Sequence, residues 1–264
     1  MAPALVTLTT DFGTRDPYVA AMKGVLLRGC PGVTVVDLTH EIAPQNLVEA
    51  ALFLDAALPE FPAGAVHVAV VDPGVGTARR PLAARAGGHT LVFPDNGLCS
   101  LFFRRTPPEA VHVIERCPLF TERRGATFHG RDVFAPAAAW LALGNPLESL
   151  GPPAEERPLR LYLPEPAKDA SGRMSGEVLH VDRFGNAVTN LPGGEQVRGT
   201  VVVELPGDPV RIPVRRTYGD ADPGGLVAVT GSTGRLEVAL RDGSAAHLLG
   251  LGAGAKVSFV PERE

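Results

Sequence analysis

Val70-Val71-Asp72-Pro73-Gly74-Val75-Gly76-Thr77-Ala78-Arg79-Arg80 decides how this chain is read. An apolar strand, His67 to Val71, runs straight into a carboxylate, a Pro/Gly turn and two arginines. A strand that ends in glycines leaves room for a ligand, because the chain there is backbone without bulk. Asp72 and Arg79 stand at opposite ends of that turn, placed to face each other across a pocket. Thr127-Phe128-His129-Gly130-Arg131-Asp132 adds a histidine just before an apolar helical run. Carboxylate, guanidinium and imidazole on two tight turns are the parts of a water-handling site.

On either side of that turn the first half alternates strand and helix signals. Leu5–Thr9 reads as a strand, and Asp16-Pro17 as an N-cap with proline at the first helical position. The helix so opened runs through Val19, Met22, Leu26 and Leu27. Strand 33–36, a helix over 46–58 and strand 66–71 follow, then strands at 82–86, 90–93 and 110–114 and a helix over 132–143. Strands separated by helices predict a mainly parallel sheet sandwiched by helices, an α/β domain over residues 1–160. Residues 161–172 belong to a proline-rich stretch read as a connector. From 173 to 264 short β-rich runs with Gly/Pro turns predict a small all-β, barrel-like domain.

Composition narrows the function classes. The chain has 264 residues, 45% hydrophobic and 20% charged, as in ordinary globular proteins, and its formal charge of −4 gives no reason to expect nucleic acid or an anionic membrane as partner. No apolar run approaches the roughly 20 residues of a membrane span, and the start of the sequence shows no export signal. Cys30, Cys99 and Cys117 are odd in number and far apart, which argues against a disulfide framework or a cysteine zinc site. A cytoplasmic protein without a bound metal is expected.

Several familiar motifs are absent. Gly74-Val75-Gly76 continues to Arg79 where a dinucleotide fingerprint needs glycine, and no Gly-Lys-Ser/Thr follows. Neither His-Glu-x-x-His nor Gly-x-Ser-x-Gly occurs, and Gly231-Ser232-Thr233-Gly234 reads as a binding turn. His40 and His67 read as structural, and His180 and His247 lack catalytic neighbours. Asp11, ending the first strand, is either a turn residue or a carboxylate for vicinal hydroxyls. Asp182-Arg183-Phe184-Gly185-Asn186-Ala187-Val188-Thr189-Asn190 is a polar island with more than a turn requires: an aromatic face, an amide and a carboxylate suited to a base and an ammonium.

Taken together, Thr9-Thr10-Asp11-Phe12-Gly13, Asp37-Leu38-Thr39-His40, Val71-Asp72-Pro73-Gly74-Val75-Gly76, Pro94-Asp95-Asn96-Gly97, Thr127 to Asp132 and Asp182 to Asn186 resemble the S-adenosyl-L-methionine (SAM) hydroxide adenosyltransferases, relatives of SAM-dependent fluorinases and chlorinases. The resemblance implies an N-terminal α/β domain and a C-terminal barrel-like domain. It also implies a homotrimer whose active sites lie between subunits, and hydrolysis of SAM to adenosine and L-methionine, with SAM as substrate and no cofactor. It places a water-activating triad on Asp72, Arg79 and His129. It further implies a ribose carboxylate at Asp11, substrate contact at Phe128, adenine-flanking rings at Phe184 and Tyr218, and an adenine amide at Asn186. Asp182 and Ser232 would take the methionine ammonium and carboxylate. Two departures from the fluorinases stand out: Gly130 replaces a halide-binding serine, and Thr233 an arginine for the carboxylate. The rival readings are a chlorinase-type halogenase and a SAM- or nucleoside-binding module without turnover.

Overall fold

Six strands build the first sheet of this computed structural model, which describes residues 4–121 and 125–262. They are β1 (Leu5–Thr10), β2 (Thr34–Thr39), β3 (Val66–Val70), β4 (Pro81–Ala86), β5 (His89–Pro94) and β6 (Ala110–Val113), in the order β2-β1-β3-β5-β4-β6. β2, β1, β3 and β5 run parallel, whereas β4 pairs antiparallel with both β5 and β6. The sheet is therefore mainly parallel, as expected, with its antiparallel pairing confined to β4. The two-residue Gly87-Gly88 link between β4 and β5 is too short for a crossover and dictates a hairpin.

Each face of the sheet carries its own core. Val6 and Leu8 of β1 and Val66, Val68 and Val70 of β3 pack with Met22 and Leu26 of helix α1 (Tyr18–Gly29) and the alanines of α4 (Ala135–Ala142). On the other face Ala69, Leu91 and Phe93 meet Leu54 of α2 (Leu47–Ala57) and Phe102 of α3 (Ser100–Arg105). The period of two along β3 thus feeds two hydrophobic layers, as burial on both sides requires. Helix α2 starts where expected, with Asn46 accepting the amide of Glu49. At α1 the cap is different: Pro17 stands at the cap position and no side chain caps the helix, so Asp16 does not serve as its N-cap.

His67 lies on the second face, its Nδ1 2.7 Å from Thr7 Oγ1 and its Nε2 3.1 Å from His89 Nδ1. Burial, then the neighbouring His89, pushes its pKa down to about 3. An unfolded chain protonates this ring near pH 6.5, so stability present above that value is lost as pH falls from there toward 3, by at most about 1.4 kcal/mol per pH unit. In an NMR titration the His67 ring should keep its neutral chemical shifts from about pH 7.5 to 5.

The chain divides into two compact units at Leu161/Tyr162. The proline-rich stretch is tied down on either side of that division. Leu159 N donates to Asp95 and Leu161 N to Ser100 in the first unit, while β7 (Ala167–Lys168) pairs with β8 (Met174–Val181) in the second.

The second unit also contains β9 (Ala187–Pro192), β10 (Gly199–Val203), β11 (Val210–Pro213), β12 (Leu226–Thr230), β13 (Arg235–Leu240), the short α5 (Ala245–Leu249) and β14 (Lys256–Pro261). Its antiparallel order is β11-β10-β14-β8-β9-β13-β12. A single bridge from Val214 to Ala228 brings the two edges together, so the sheet is nearly closed around Val178, Leu191, Val201, Ile212, Leu236, Val238 and Phe259. The polar island is the β8–β9 hairpin turn followed by β9 itself.

Candidate functional site

In the first unit the key residues sit at the carboxyl ends of adjacent parallel strands, where α/β sheets leave room for ligands. Thr10 of β1 pairs with Val70 of β3 and Thr9 with Thr39 of β2, so Asp11, His40 and Asp72 all follow strand ends on one edge of the sheet.

The loop after β3 folds back on itself. Val75 N bonds Asp72 O, Thr77 N and Oγ1 both bond Gly74 O, and Arg79 N bonds Thr77 Oγ1. This returns the Arg79 guanidinium to the Asp72 carboxylate: Nε lies 3.0 and 2.9 Å from its two oxygens, and Nη2 donates to Oδ2 as well. Nη2 also lies 2.7 Å from His129 Nδ1. Arginine has no acceptor, so Nδ1 must be the unprotonated nitrogen and a neutral His129 carries its proton on Nε2. The Asp72 and Arg79 side chains are only 5% and 8% exposed, with the guanidinium 5.2 Å from the centre of the Phe134 ring. Arg79 Nη1 is buried and finds no hydrogen-bond partner among the described residues. A buried charged donor without a partner is costly, so it marks a place for an oxygen ligand.

His129 is delivered by an irregular turn. Residues Gly130–Phe134 form one π-helical turn before α4, replacing the regular helical start expected at Asp132. Such turns recur at functional sites. Asp132, 5% exposed, braces the loop by accepting from Arg131 and Gly125 N; burial opposes its charge, but these bonds hold its carboxyl below the usual range. Phe128 packs edge-on against Phe12 and Tyr18, at centroid distances of 5.9 and 5.2 Å. A Cβ on Gly130 would lie 3.0 Å from Met22 Sδ and 3.2 Å from the Phe128 ring, so a larger residue needs this cluster to move.

Asp11 accepts from Gln45 N at 2.8 Å through Oδ2; the Gln45 backbone is left-handed, with φ 64°. Behind it runs a polar chain. Thr10 Oγ1 lies 2.9 Å from His40 Nδ1, His40 Nε2 is 3.0 Å from Asp37, and Asp37 meets Lys23. Gly13 N bonds His40 O. His40 therefore holds the strand end that carries Asp11, which fits its reading as structural. Asn96 does the same for Asp72, its Nδ2 donating to Val71 O at 2.8 Å. No pattern in the sequence marks Gln45, and Asn96 stands in the Pro94-Asp95-Asn96-Gly97 segment with no role assigned; their roles arise from contacts between distant segments.

In the second unit both oxygens of Asp182 accept bonds from its own turn. Oδ1 accepts from the Phe184 and Asn186 amides and Oδ2 from Asn186 Nδ2. Gly185, at φ 83°, closes this turn. The bonds leave Phe184 77% exposed at the tip and bury Asn186. Tyr218, 44% exposed, donates its hydroxyl to Glu237 Oε2 at 3.1 Å. Ser232 is exposed in the β12–β13 turn, and Thr233 Oγ1 is buried without a partner among the described residues. Glu237 is not among the candidates the sequence marks, although it is one carboxylate inside the apolar strand Arg235-Leu236-Glu237-Val238-Ala239-Leu240.

The structure thus joins Asp72, Arg79 and His129 by hydrogen bonds and gathers Asp182, Phe184 and Asn186 in one turn. A cavity of about 440 Å³ beside α1, lined in part by Val25, Leu119, Arg131 and Pro136, includes none of the triad, so concavity alone does not mark the site. Among the described residues no cluster of His, Cys, Asp and Glu is suited to a metal ion, and no helix is long and apolar enough to cross a membrane.

Comparison with known proteins places the chain. It is 49% identical to the (R)-S-adenosyl-L-methionine hydrolase of Thermus thermophilus, over 97% of this chain and 99% of that one. It is 44% identical to the protein of the same name from Salinispora tropica, over 97% and 98%. Proteins named fluorinase match at 28%. A crystal structure of an uncharacterized conserved protein from Thermotoga maritima superposes with a TM-score of 0.88 at 32% identity, covering 96% of this chain and 99% of that one. The family models for the SAM hydroxide adenosyltransferase N-terminal and C-terminal domains match residues 6–151 and 176–258, so the chain belongs to the SAM hydroxide adenosyltransferase family.

Proposed function

We propose that this protein hydrolyses SAM to adenosine and L-methionine by in-line attack of water on the ribose C5′. The observation that carries this reading is the partly buried Asp72–Arg79–His129 array, with Arg79 Nη1 left unpartnered among the described residues. SAM bears a sulfonium, so the departing group is a neutral thioether and needs no acid. The C5′–O bond forms as the C5′–S bond breaks, and the electron pair of that bond stays on sulfur. The task left to the protein is to hold a water in line and to favour its hydroxide form. Arg79 supplies fixed positive charge beside that oxygen, and Asp72 orients the guanidinium. The proton passes to the triad, to Asp72 or His129. The step asks for no redox cofactor and no metal.

Asp11 takes the ribose hydroxyls, with Phe128 beside them, while Phe184, Asn186 and Tyr218 take the adenine. Ser232 takes the methionine carboxylate. Asp182 meets the methionine ammonium while keeping its turn bonds, because a carboxylate oxygen can accept more than one donor. The family resemblance supports a homotrimer, in which ligand residues carried on the two units would meet in pockets completed by two chains. Three free, buried cysteines support a reducing, cytoplasmic setting. The crowding around Gly130 speaks against a halide-binding side chain there.

Incubation with SAM and chloride in ¹⁸O-labelled water tests the function. The expected product is adenosine carrying the label on its 5′-hydroxyl. Formation of 5′-chloro-5′-deoxyadenosine would make the protein a halogenase, and SAM bound but unchanged would make it a binding module.

A further inference from the structure

We propose that Glu237 is a positioning residue for nucleoside binding, which fixes the Tyr218 ring by accepting its hydroxyl hydrogen bond. This rests on the reading above, in which Tyr218 flanks the adenine, and extends it to a residue that touches no part of the substrate.

Leu236 and Val238 of β13 face the barrel interior. Glu237 alternates with them and so shares the opposite face with Ala239, near Val227 and Val229. It is 7% exposed and forms no ion pair among the described residues. A carboxyl group is almost never buried like this unless it is paired. Here the partner is the Tyr218 hydroxyl. Space for the carboxyl comes from Gly231: a Cβ there would lie 1.7 Å from Glu237 Oε1. Burial pushes the Glu237 carboxyl pKa up; the Tyr218 hydrogen bond pulls it back in part, and Asp182 nearby adds to the rise, so its charged form is disfavoured in the folded protein. Burial, reinforced by Glu237, drives the Tyr218 phenol up to about 12, which keeps its proton available for donation.

One hydrogen bond adds little net stability, whereas burying a carboxyl group costs stability. A residue that violates the apolar pattern of its strand at such a cost is expected at a functional site. The surroundings of Tyr218 agree with this. Its short turn is closed by a reciprocal Thr217–Asp220 cap, and Arg241 Nη1 donates to Gly219 O and Ala221 O. Cap, arginine and Glu237 together hold the backbone and the ring tip, while 44% of the residue stays open to solvent. A ring held in place before the ligand arrives loses no rotamer freedom on binding.

The test compares Glu237→Ala, Glu237→Gln and Tyr218→Phe in the full-length protein. Readouts are kcat and KM for SAM, adenosine Kd by calorimetry, and melting temperature. Glu237→Ala and Tyr218→Phe should each raise KM and adenosine Kd about tenfold, as expected for one lost positioning bond, with kcat changed by less than about threefold. Combining them should be no worse than either alone. Glu237→Gln keeps an acceptor, so it should bring KM and Kd back near wild type. Tyr218→Phe carries the test if Glu237→Ala fails to fold. Unchanged adenosine affinity in both Glu237→Ala and Tyr218→Phe would overturn the proposal, as would Glu237→Gln behaving like Glu237→Ala. Wild-type protein that binds adenosine but does not turn over SAM would sink the hydrolase reading alone, leaving Kd to decide the role of Glu237. Wild-type protein that binds no adenosine overturns both.

Discussion

Removing any one member of the Asp72–Arg79–His129 array should abolish most hydrolysis while leaving SAM bound. Each alanine variant is expected to lose roughly 10²- to 10⁴-fold in kcat, the usual range for a group that handles a proton or stabilises developing charge. The triple variant should be scarcely worse than the singles, because the three side chains act as one unit. The geometry gives the reason: Arg79 donates to Asp72 and His129 at once, so losing either partner frees the guanidinium to move, and losing Arg79 leaves a buried carboxylate unpaired. Arg79→Lys should rescue little, because one ammonium cannot reproduce the fork that holds Asp72 while meeting His129. Single-turnover rates alongside SAM affinity check this. Collapsed binding with intact single-turnover rates would make these residues ligand contacts and not a nucleophile-handling site.

The second large effect concerns assembly. Asp11→Ala and Asn186→Ala proteins should each be nearly inactive alone and should recover activity when mixed under subunit exchange. If each pocket takes Asp11 from one chain and Asn186 from another, an equal mixture should regain about a quarter of the wild-type sites, since both intact halves meet by chance at that frequency. Were both residues supplied by one chain, every site would carry a lesion and no activity would return. Light scattering should report three times the chain mass; a fully active monomer would rule the trimer out.

Much of the architecture is legible in the residues alone. The period of two along Val66-His67-Val68-Ala69-Val70, set between apolar helices, specifies a sheet buried on both faces. The loss of helical signal after residue 160 marks a second, all-β part, and Asp11 and Asp72 are legible as site candidates because the carboxyl ends of strands in α/β sheets leave room for ligands. Strand direction is less legible. β4 looks like any other apolar run, and its hairpin link to β5 reverses it.

Packing between remote segments settles the rest. Thr10, His40, Asp37 and Lys23 are spread over three segments, and only strand pairing makes them one chain of contacts behind Asp11. The sequence offers Asp182 as a carboxylate for a ligand, but the folded hairpin shows both oxygens already accepting backbone and amide protons. His129 stands at the start of a π turn, Gly130–Phe134, where the sequence leads one to expect a regular helix, and Phe134 of that turn packs into the core. Glu237 pairs with Tyr218 across 19 positions, a relation no local pattern encodes. Periodicity records which side of an element faces apolar surroundings, a local property that repeats along the chain. A hydrogen-bonded site depends on a few distances of about 3 Å between remote segments, and these are set only once the whole unit has packed.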